Sequence, residues 1–441
     1  MPKITIKESD NAASVSGSYA NFSVVVPGFV GTPLNAAGFD ENGICEVSTK
    51  DDFIKYIGKV AQKEKSNSVG NQIAYELVCL GYTVLFKKIT SADTALQDYD
   101  NFWSCLEDKA NYDFRYVCTG LLKEETSEKE EPKKDENSEE ETTEEISEEE
   151  ETKTSTNANI AKLAKNRGDC IALLDISNNV YDSANTQSTN ISAIVSDVNN
   201  NFTDTSKYVA IFAPTVTYNR VADKIYNNNT LPGSFHYLVC AAEAFATYPE
   251  WFAVAGYTRG ISSEADYKIL NTGVKFGEAA INALEPRNKS NNGIEKAVNL
   301  IVKIKNSYYL WGNRTAHDLE EVDATAGTGD LKASHFLNIR QLCCTLKKQL
   351  YINCRRFTFE PNSDVLWINF VNAIEPLLEK MKANQGIEDY QIIKVKSTQK
   401  AKFSAIIRIV PIEAVEDFDL TITLEDSITG ATVSVEESVE E

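Results

Sequence analysis

The chain has no run of 18 or more apolar residues, so no membrane span and no direct membrane insertion are expected. Its first residues, Met-Pro-Lys-Ile-Thr-Ile-Lys-Glu, lack the apolar stretch of a secretion signal, which points to synthesis and action in a cytoplasm. Histidine is scarce: His236, His317 and His335 are the three in 441 residues. None reads as having a His or Cys neighbour at ligand spacing, so no metal is expected. His317-Asp318 looks like a dyad, but adjacent side chains diverge in helix and strand alike, and a surface pair after a core strand is the plainer reading. There is no GxSxG nucleophile motif. Residues 326–332, Ala-Gly-Thr-Gly-Asp-Leu-Lys, lack the Gly-Lys-Ser/Thr that would cradle phosphate and Mg²⁺, and read as a loop between strand and helix. No CxxC pair occurs; the nine dispersed cysteines read as buried, reduced thiols. No catalytic residue and no cofactor is assigned.

Acidic residues far outnumber basic ones in two stretches. Residues 123–157 carry 16 acidic residues against 5 lysines, and residues 413–441 carry 10 acidic residues with no Lys or Arg. The net charge of −21 sits in these appendages and the rest of the chain is neutral. A neutral body with acidic appendages lacks the basic surface that displaces counterions, so nucleic acid is not an expected partner. Residues 123–157 hold one Ile and no aromatic residue, too little apolar surface to order themselves. They fall between an expected strand at 116–119 and a helix leading to 169–176, and so form an insertion in a surface loop.

At 441 residues and 42% hydrophobic, the chain is long enough for two or three domains. Apolar runs at 23–26, 83–86, 171–176 and 208–213 suit buried strands. Helices alternate with them at about 47–58, 71–80, 191–198 and 238–247, an α/β pattern. Thr49 is an expected N-cap, with Asp51 and Asp52 in the first turn and Gly58 as the stop. Asp169, in a chance Arg-Gly-Asp, is expected to start a strand. Phe336, Ile339, Cys343, Leu346 and Leu350 form one apolar stripe on a helix over 335–350. A second helix should start after Asn362-Ser363 and kink at Pro376. Strands follow at 390–395 and 404–410. At the end, Phe418, Leu420, Ile422 and Leu424 alternate with polar residues, a strand with one apolar face. Ile4 and Ile6 alternate in the same way near the start.

Several motifs occur in a telling order. Gly28, Gly31, Pro33, Phe53, Gly58 and Gly81 punctuate the first unit; Ala172-Leu-Leu-Asp175, Ala210-Ile-Phe-Ala-Pro214 and Ala255-Gly256 with Arg259 follow. Residues 307–315 read Ser-Tyr-Tyr-Leu-Trp-Gly-Asn-Arg-Thr; then come Asn338-Ile339-Arg340 and Phe359-Glu-Pro-Asn362 with Leu366-Trp367. The set resembles contractile tail sheath proteins, which build the contracting outer cylinder of phage tails and related injection devices. The matches cover about residues 23–122 and 158–424.

The resemblance implies a subtilisin-like α/β domain without a protease site (23–290), a C-terminal α/β sheath domain (291–412), an N-terminal arm (1–22), and a C-terminal arm with an acidic tail (413–441). It implies a structural protein with no enzymatic activity, one that polymerises with itself as stacked hexameric rings. Its other implied partners are a tail tube protein, a baseplate and a tail terminator, in a virion tail or injection particle assembled in a bacterial host cytoplasm. The implied intersubunit strands contain Ile4, Ile6, Phe418, Leu420, Ile422 and Leu424. Glu375, Glu379, Lys380 and Lys382 are the implied tube-facing residues. Trp311, Gly312, Arg314 and Thr315 form the structural motif; Arg314 could bind an anion, but no Gly-rich loop or helix start adjoins it, and holding a carboxylate or carbonyls beneath its strand is the favoured reading. Two other readings compete: a hydrolase on the same α/β scaffold, and a monomeric binding module with an acidic regulatory loop.

Overall fold

The computed structural model of the chain describes residues 23–29, 38–58, 69–89, 96–118, 156–201, 207–219, 229–286, 293–319, 331–397, 399 and 401–414. The expected terminal strands, the Gly-rich 326–330 and most of the acidic insertion lie outside them. In chain order, β1 (Ser23–Phe29) leads to β2 (Ile44–Val47), α1 (Lys50–Tyr56), α2 (Val69–Cys79) and β3 (Thr83–Ile89). β4 (Tyr116–Cys118), α3 (Thr156–Arg167), β5 (Ile171–Asp175), α4 (Gln187–Asn201) and β6 (Val209–Ala213) follow. Next come β7 (Val216–Tyr218), β8 (Thr230–Leu231), α5 (Gly233–Thr247), α6 (Gly256–Arg259), β9 (Ile269–Thr272), α7 (Glu278–Leu284), β10 (Asn299–Ile304) and β11 (Ser307–Trp311). The chain closes with α8 (Leu337–Arg355), α9 (Asp364–Ala383), β12 (Ile387–Lys394) and β13 (Ala405–Pro411).

Eight strands join in one sheet, in the order β11-β10-β6-β5-β4-β1-β3-β2. The six inner strands run parallel, and β2 and β11 are antiparallel edges. From β1 the chain first steps one way to β3, then returns past β1 to β4 and continues outward through β5 and β6. Crossovers between parallel strands are right-handed, so helices on the two legs land on opposite faces. Alternate strand residues divide accordingly. Val24, Val26, Ile171 and Leu173 pack with α2, α5 and part of α8. Val25, Ala172, Leu174 and Ile211 pack with α3, α4 and α7. The strands are apolar on both sides because both faces are covered.

The expected caps are in place. Thr49 accepts the Asp52 amide at 3.1 Å, and Gly58 follows α1 at φ +72°. α5 is capped from a distance. Its N-cap, Pro232, offers no side-chain acceptor, and Asp175 at the end of β5 accepts the Ser234 amide at 2.8 Å and its hydroxyl at 2.5 Å. Asp175→Ala should therefore cost about 1–2 kcal/mol, and Asp175→Asn clearly less, in urea unfolding.

Four expectations need correction. The boundary at 290/291 does not part the sheet: β10 and β11 lie beyond it and extend the same sheet. The strand expected from Asp169 starts at Ile171, because Asp169 turns back to pair with Arg167 at 2.9 Å. α3 begins at Thr156, and Asn157 is buried, so the last two residues of the acidic segment belong to the folded body. On α8 Cys344, not Cys343, is the fully buried thiol. This helix packs against two cores at once, so one stripe cannot describe it. α9 runs as one helix with Pro376 inside it, and the residue whose carbonyl loses its bonding partner there, Asn372, is exposed. All nine cysteines are free thiols, five of them buried and four partly buried.

Candidate functional site

The motif after β11 is a joint between the sheet and α8. Gly312 lies against Asn299: a Cβ there would sit 2.7 Å from the Asn299 Cα, so only glycine fits. Asn299 is fully buried; its amide nitrogen donates to the Ile211 and Arg314 carbonyls at 3.0 and 2.9 Å, and its Oδ1 accepts the Arg314 amide at 2.7 Å. The Arg314 guanidinium lies 3.8 Å from the Glu285 carboxylate and over the Phe336 ring. Thr315 donates its amide to the His335 carbonyl and its hydroxyl to the Ser334 carbonyl, both at 2.7 Å. Asn313 and Asn338 exchange two bonds: Asn313 Nδ2 donates to Asn338 Oδ1 at 2.7 Å, and the Asn338 amide donates to Asn313 Oδ1 at 3.1 Å. Two motifs read separately in the sequence are thus each other's partners. Trp311 packs edge-on against exposed Tyr257 at 5.2 Å.

Beyond the joint, α8, α9, β12 and β13 share a third core. Ile339, Leu342, Leu346, Phe370, Ile374 and Leu378 form its centre. Ser363 caps α9 by accepting the Leu366 amide at 3.4 Å. Trp367, Phe370 and Phe403 pack together beneath the β12–β13 pair. Glu375, Glu379, Lys380 and Lys382 all lie exposed on α9. Two of them are already engaged: Tyr390 donates its hydroxyl to Glu379 at 2.5 Å, and Lys382 pairs with Asp389 at 3.0 Å. The Lys382 hydrogen bond holds the Asp389 carboxyl below its usual range, and the Lys394 bond does the same for Asp364. Burial and the Glu379 bond push the Tyr390 phenol up.

The β12–β13 pair is the most open element. It is a two-stranded sheet, and among the described residues no third strand pairs with either edge. Ala405, Ile407 and Ile409 turn toward the third core. Their neighbours Ile406, Val410 and Ile412 stand out at 46%, 44% and 44% exposure. A two-stranded ribbon with free edges and an apolar outer face invites a further strand. The chain leaves β13 directly toward the alternating segment that holds Phe418, Leu420, Ile422 and Leu424; that segment, like Ile4 and Ile6, lies outside the described residues.

Two side-chain groupings escaped the sequence reading. His236 and Cys240, four apart on α5, meet with Sγ 3.5 Å from Nε2, while Tyr218 bonds Nδ1 at 3.0 Å. The i, i+4 spacing was a usable signal for this pair. Burial pushes the His236 imidazole down to about 4 and the Cys240 thiol up, so both are neutral packing groups. His317 and His335 also touch, at 3.1 Å, although 18 residues separate them. His317 turns to His335 rather than forming a surface pair with the Asp318 side chain. Among the described residues no three side chains gather as a metal site, and no helix is long and apolar enough to cross a membrane.

No protein-family model and no curated protein matches the sequence. Solved structures do match the fold. A chain of the anti-feeding prophage baseplate, six-fold symmetrised, superposes with a TM-score of 0.59 at 15% identity, over 96% of this chain and 99% of that one. A chain of the PVC extracellular contractile injection system sheath complex in its contracted state gives 0.59 at 12% identity, over 97% and 98%. The anti-feeding prophage helical sheath in its contracted state gives 0.56 at 15% identity, over 96% and 99%. The likeness runs nearly the full length of both chains and establishes a shared fold.

Proposed function

We propose that the chain is a structural subunit of a contractile sheath. The observation that carries this reading is the near-complete overlap, at both ends of the alignment, with chains of contracted sheath and baseplate assemblies. The eight-stranded domain is read as the subtilisin-like sheath domain, without protease function, with its boundary moved from 290/291 to after β11. Subunits stack as hexameric rings around a tail tube, between a baseplate and a tail terminator. The particle is a virion tail or injection device assembled in a bacterial cytoplasm. Terminal arms of neighbours, with Ile4 and Ile6 at one end and Phe418 to Leu424 at the other, add strands to the open β12–β13 ribbon. Backbone hydrogen bonds would give that contact affinity, and the alternating side chains its register. The bodies can then rotate in contraction while the arms stay paired. The acidic insertion is assigned to the outer surface, where its charge is screened within about 8 Å at physiological salt. Negative-stain images of the purified protein test the reading: cylinders are expected, and a small species that never polymerises, with or without a tube, would overturn it.

The exposed charges of α9 are assigned to the tube. Glu379 and Lys382 also fasten α9 to β12, so Glu375 is the cleaner probe. Reversing its charge should weaken co-sedimentation with tubes by about 0.2–1 kcal/mol, more at low salt, with self-assembly unchanged. Equal loss of both activities would refute the assignment.

A further inference from the structure

We infer that His317 and His335 form an acid-sensitive latch between the chain leaving β11 and the turn entering α8. His317 Nδ1 lies 3.1 Å from His335 Nε2, with the rings edge-to-face. The Asp318 carbonyl oxygen completes a triangle, 3.3 Å from the first nitrogen and 3.1 Å from the second. On the far side of His335, the Lys332 amide donates to Nδ1 at 2.9 Å. A backbone N–H can only donate, so neutral His335 carries its proton on Nε2. That proton points at the Asp318 carbonyl and His317 Nδ1, and the carbonyl, with two lone pairs, lies within reach of both rings.

The latch closes only with the His335 ring neutral. A proton on His335 Nδ1 would meet the Lys332 amide; the Lys332 carbonyl, 3.3 Å from the same nitrogen, could receive it only if that amide swings away. Cations and acids around the pair are balanced. Lys296 lies 3.4 Å from the Asp318 carboxylate and 3.6 Å from that of Glu295, and Arg314 faces Glu285 at 3.8 Å. Lys332 adds a further positive charge from the turn. Among the described residues, the nearby carboxylates of Glu285, Glu295 and Asp318 already face Arg314 and Lys296. Burial lowers the His335 pKa; the Asp318 carbonyl raises it, His317 lowers it, the Lys332 carbonyl raises it and Arg314 lowers it, for a net depression.

The sign follows from linkage. A histidine held below its ordinary value contributes stability above about pH 6.5, and that contribution is lost as pH falls through the folded value. An opened latch regains ordinary basicity, so acid favours opening. The latch joins the two chain ends that flank residues 320–330, beside the Thr315–His335 and Leu337–Asn313 backbone bonds. It stands whether or not the chain assembles.

Hydrogen exchange on the full-length protein at pH 7.5 and 5.0, corrected for intrinsic rates, tests this. The Thr315 and Leu337 amides should lose at least about tenfold protection at pH 5.0, while amides of β5 and β6 keep theirs. His335→Gln, which cannot titrate and can still accept the Lys332 amide, should remove at least half of that pH-dependent loss. His236 titrates in the same direction, but within α5, so a loss spread evenly over the chain would mark general acid unfolding and overturn the latch. So would unchanged protection in the natural protein, or a full tenfold loss persisting in His335→Gln.

Discussion

Removing residues 415–441 is expected to leave a folded monomer that no longer builds cylinders. The described residues already build the third core: β13 ends at Pro411, and its inward residues Ile407 and Ile409 join Phe370, Ile374 and Leu378 there. Thermal unfolding and circular dichroism should therefore match the full-length protein closely. What the truncation removes is the alternating segment with Phe418, Leu420, Ile422 and Leu424. Burying four such side chains on a neighbour contributes on the order of 5–10 kcal/mol before ordering costs. A polymer needs that contact at every subunit, so even a partial loss shifts the equilibrium far toward monomer. Sedimentation and electron microscopy read the outcome. Cylinders of ordinary length from the truncated chain would show that strand addition by this segment does not hold the polymer together.

The elements of the fold were largely readable, and their partnerships were not. Thr49, Gly58 and Ser363 announced helix ends because capping depends on residues within one turn. The strand runs 171–176 and 208–213 were readable because both faces of an inner parallel strand are buried. The Asn313–Asn338 exchange, by contrast, joins residues 25 apart, and either asparagine alone passes for a surface residue. Asn299 gave no signal at all, since its three bonds reach Ile211 and Arg314 from distant segments. β10 and β11 were assigned to the wrong side of a domain boundary for the same reason: strand pairing is decided by topology, which local pattern does not encode. Arg314 was readable as structural because a Trp-Gly-Asn-Arg-Thr strand end offers no anion cradle, and it does face a carboxylate, Glu285. The candidate assembly surface was half visible. The alternation at 405–411 marks a one-sided strand, but only the fold reveals that its pair with β12 has no third member among the described residues.

The second large effect is expected inside the body, at Glu250. Its carboxylate meets Arg115 at 2.6 Å, with both side chains 1% exposed. Arg115 precedes β4; Glu250 adjoins Trp251, whose indole nitrogen donates to the Asn384 carbonyl just past α9; and Thr345 of α8 donates its hydroxyl to Glu250 at 2.7 Å. One carboxylate thus fastens the sheet to the C-terminal unit. Burial lowers the Arg115 pKa, and the Glu250 carboxylate, helped by Tyr116, Cys344 and Tyr237, raises it to a net position above its usual range. The contact is an ion pair rather than a well-aligned hydrogen bond, so its main role is to neutralise a guanidinium already out of water. Glu250→Ala should cost about 3–5 kcal/mol, because it leaves that charge buried and alone. Replacing both partners with apolar residues of similar size, Arg115→Met with Glu250→Leu, should recover most of the loss, since a well-packed apolar pair needs no compensation. Thr345 keeps a second acceptor in the Gln341 carbonyl at 3.2 Å, so the double variant strands no hydroxyl. Urea unfolding of the two variants separates the causes. If the double variant is as unstable as Glu250→Ala, lost packing around Trp251, and not an uncompensated charge, sets the stability of this joint.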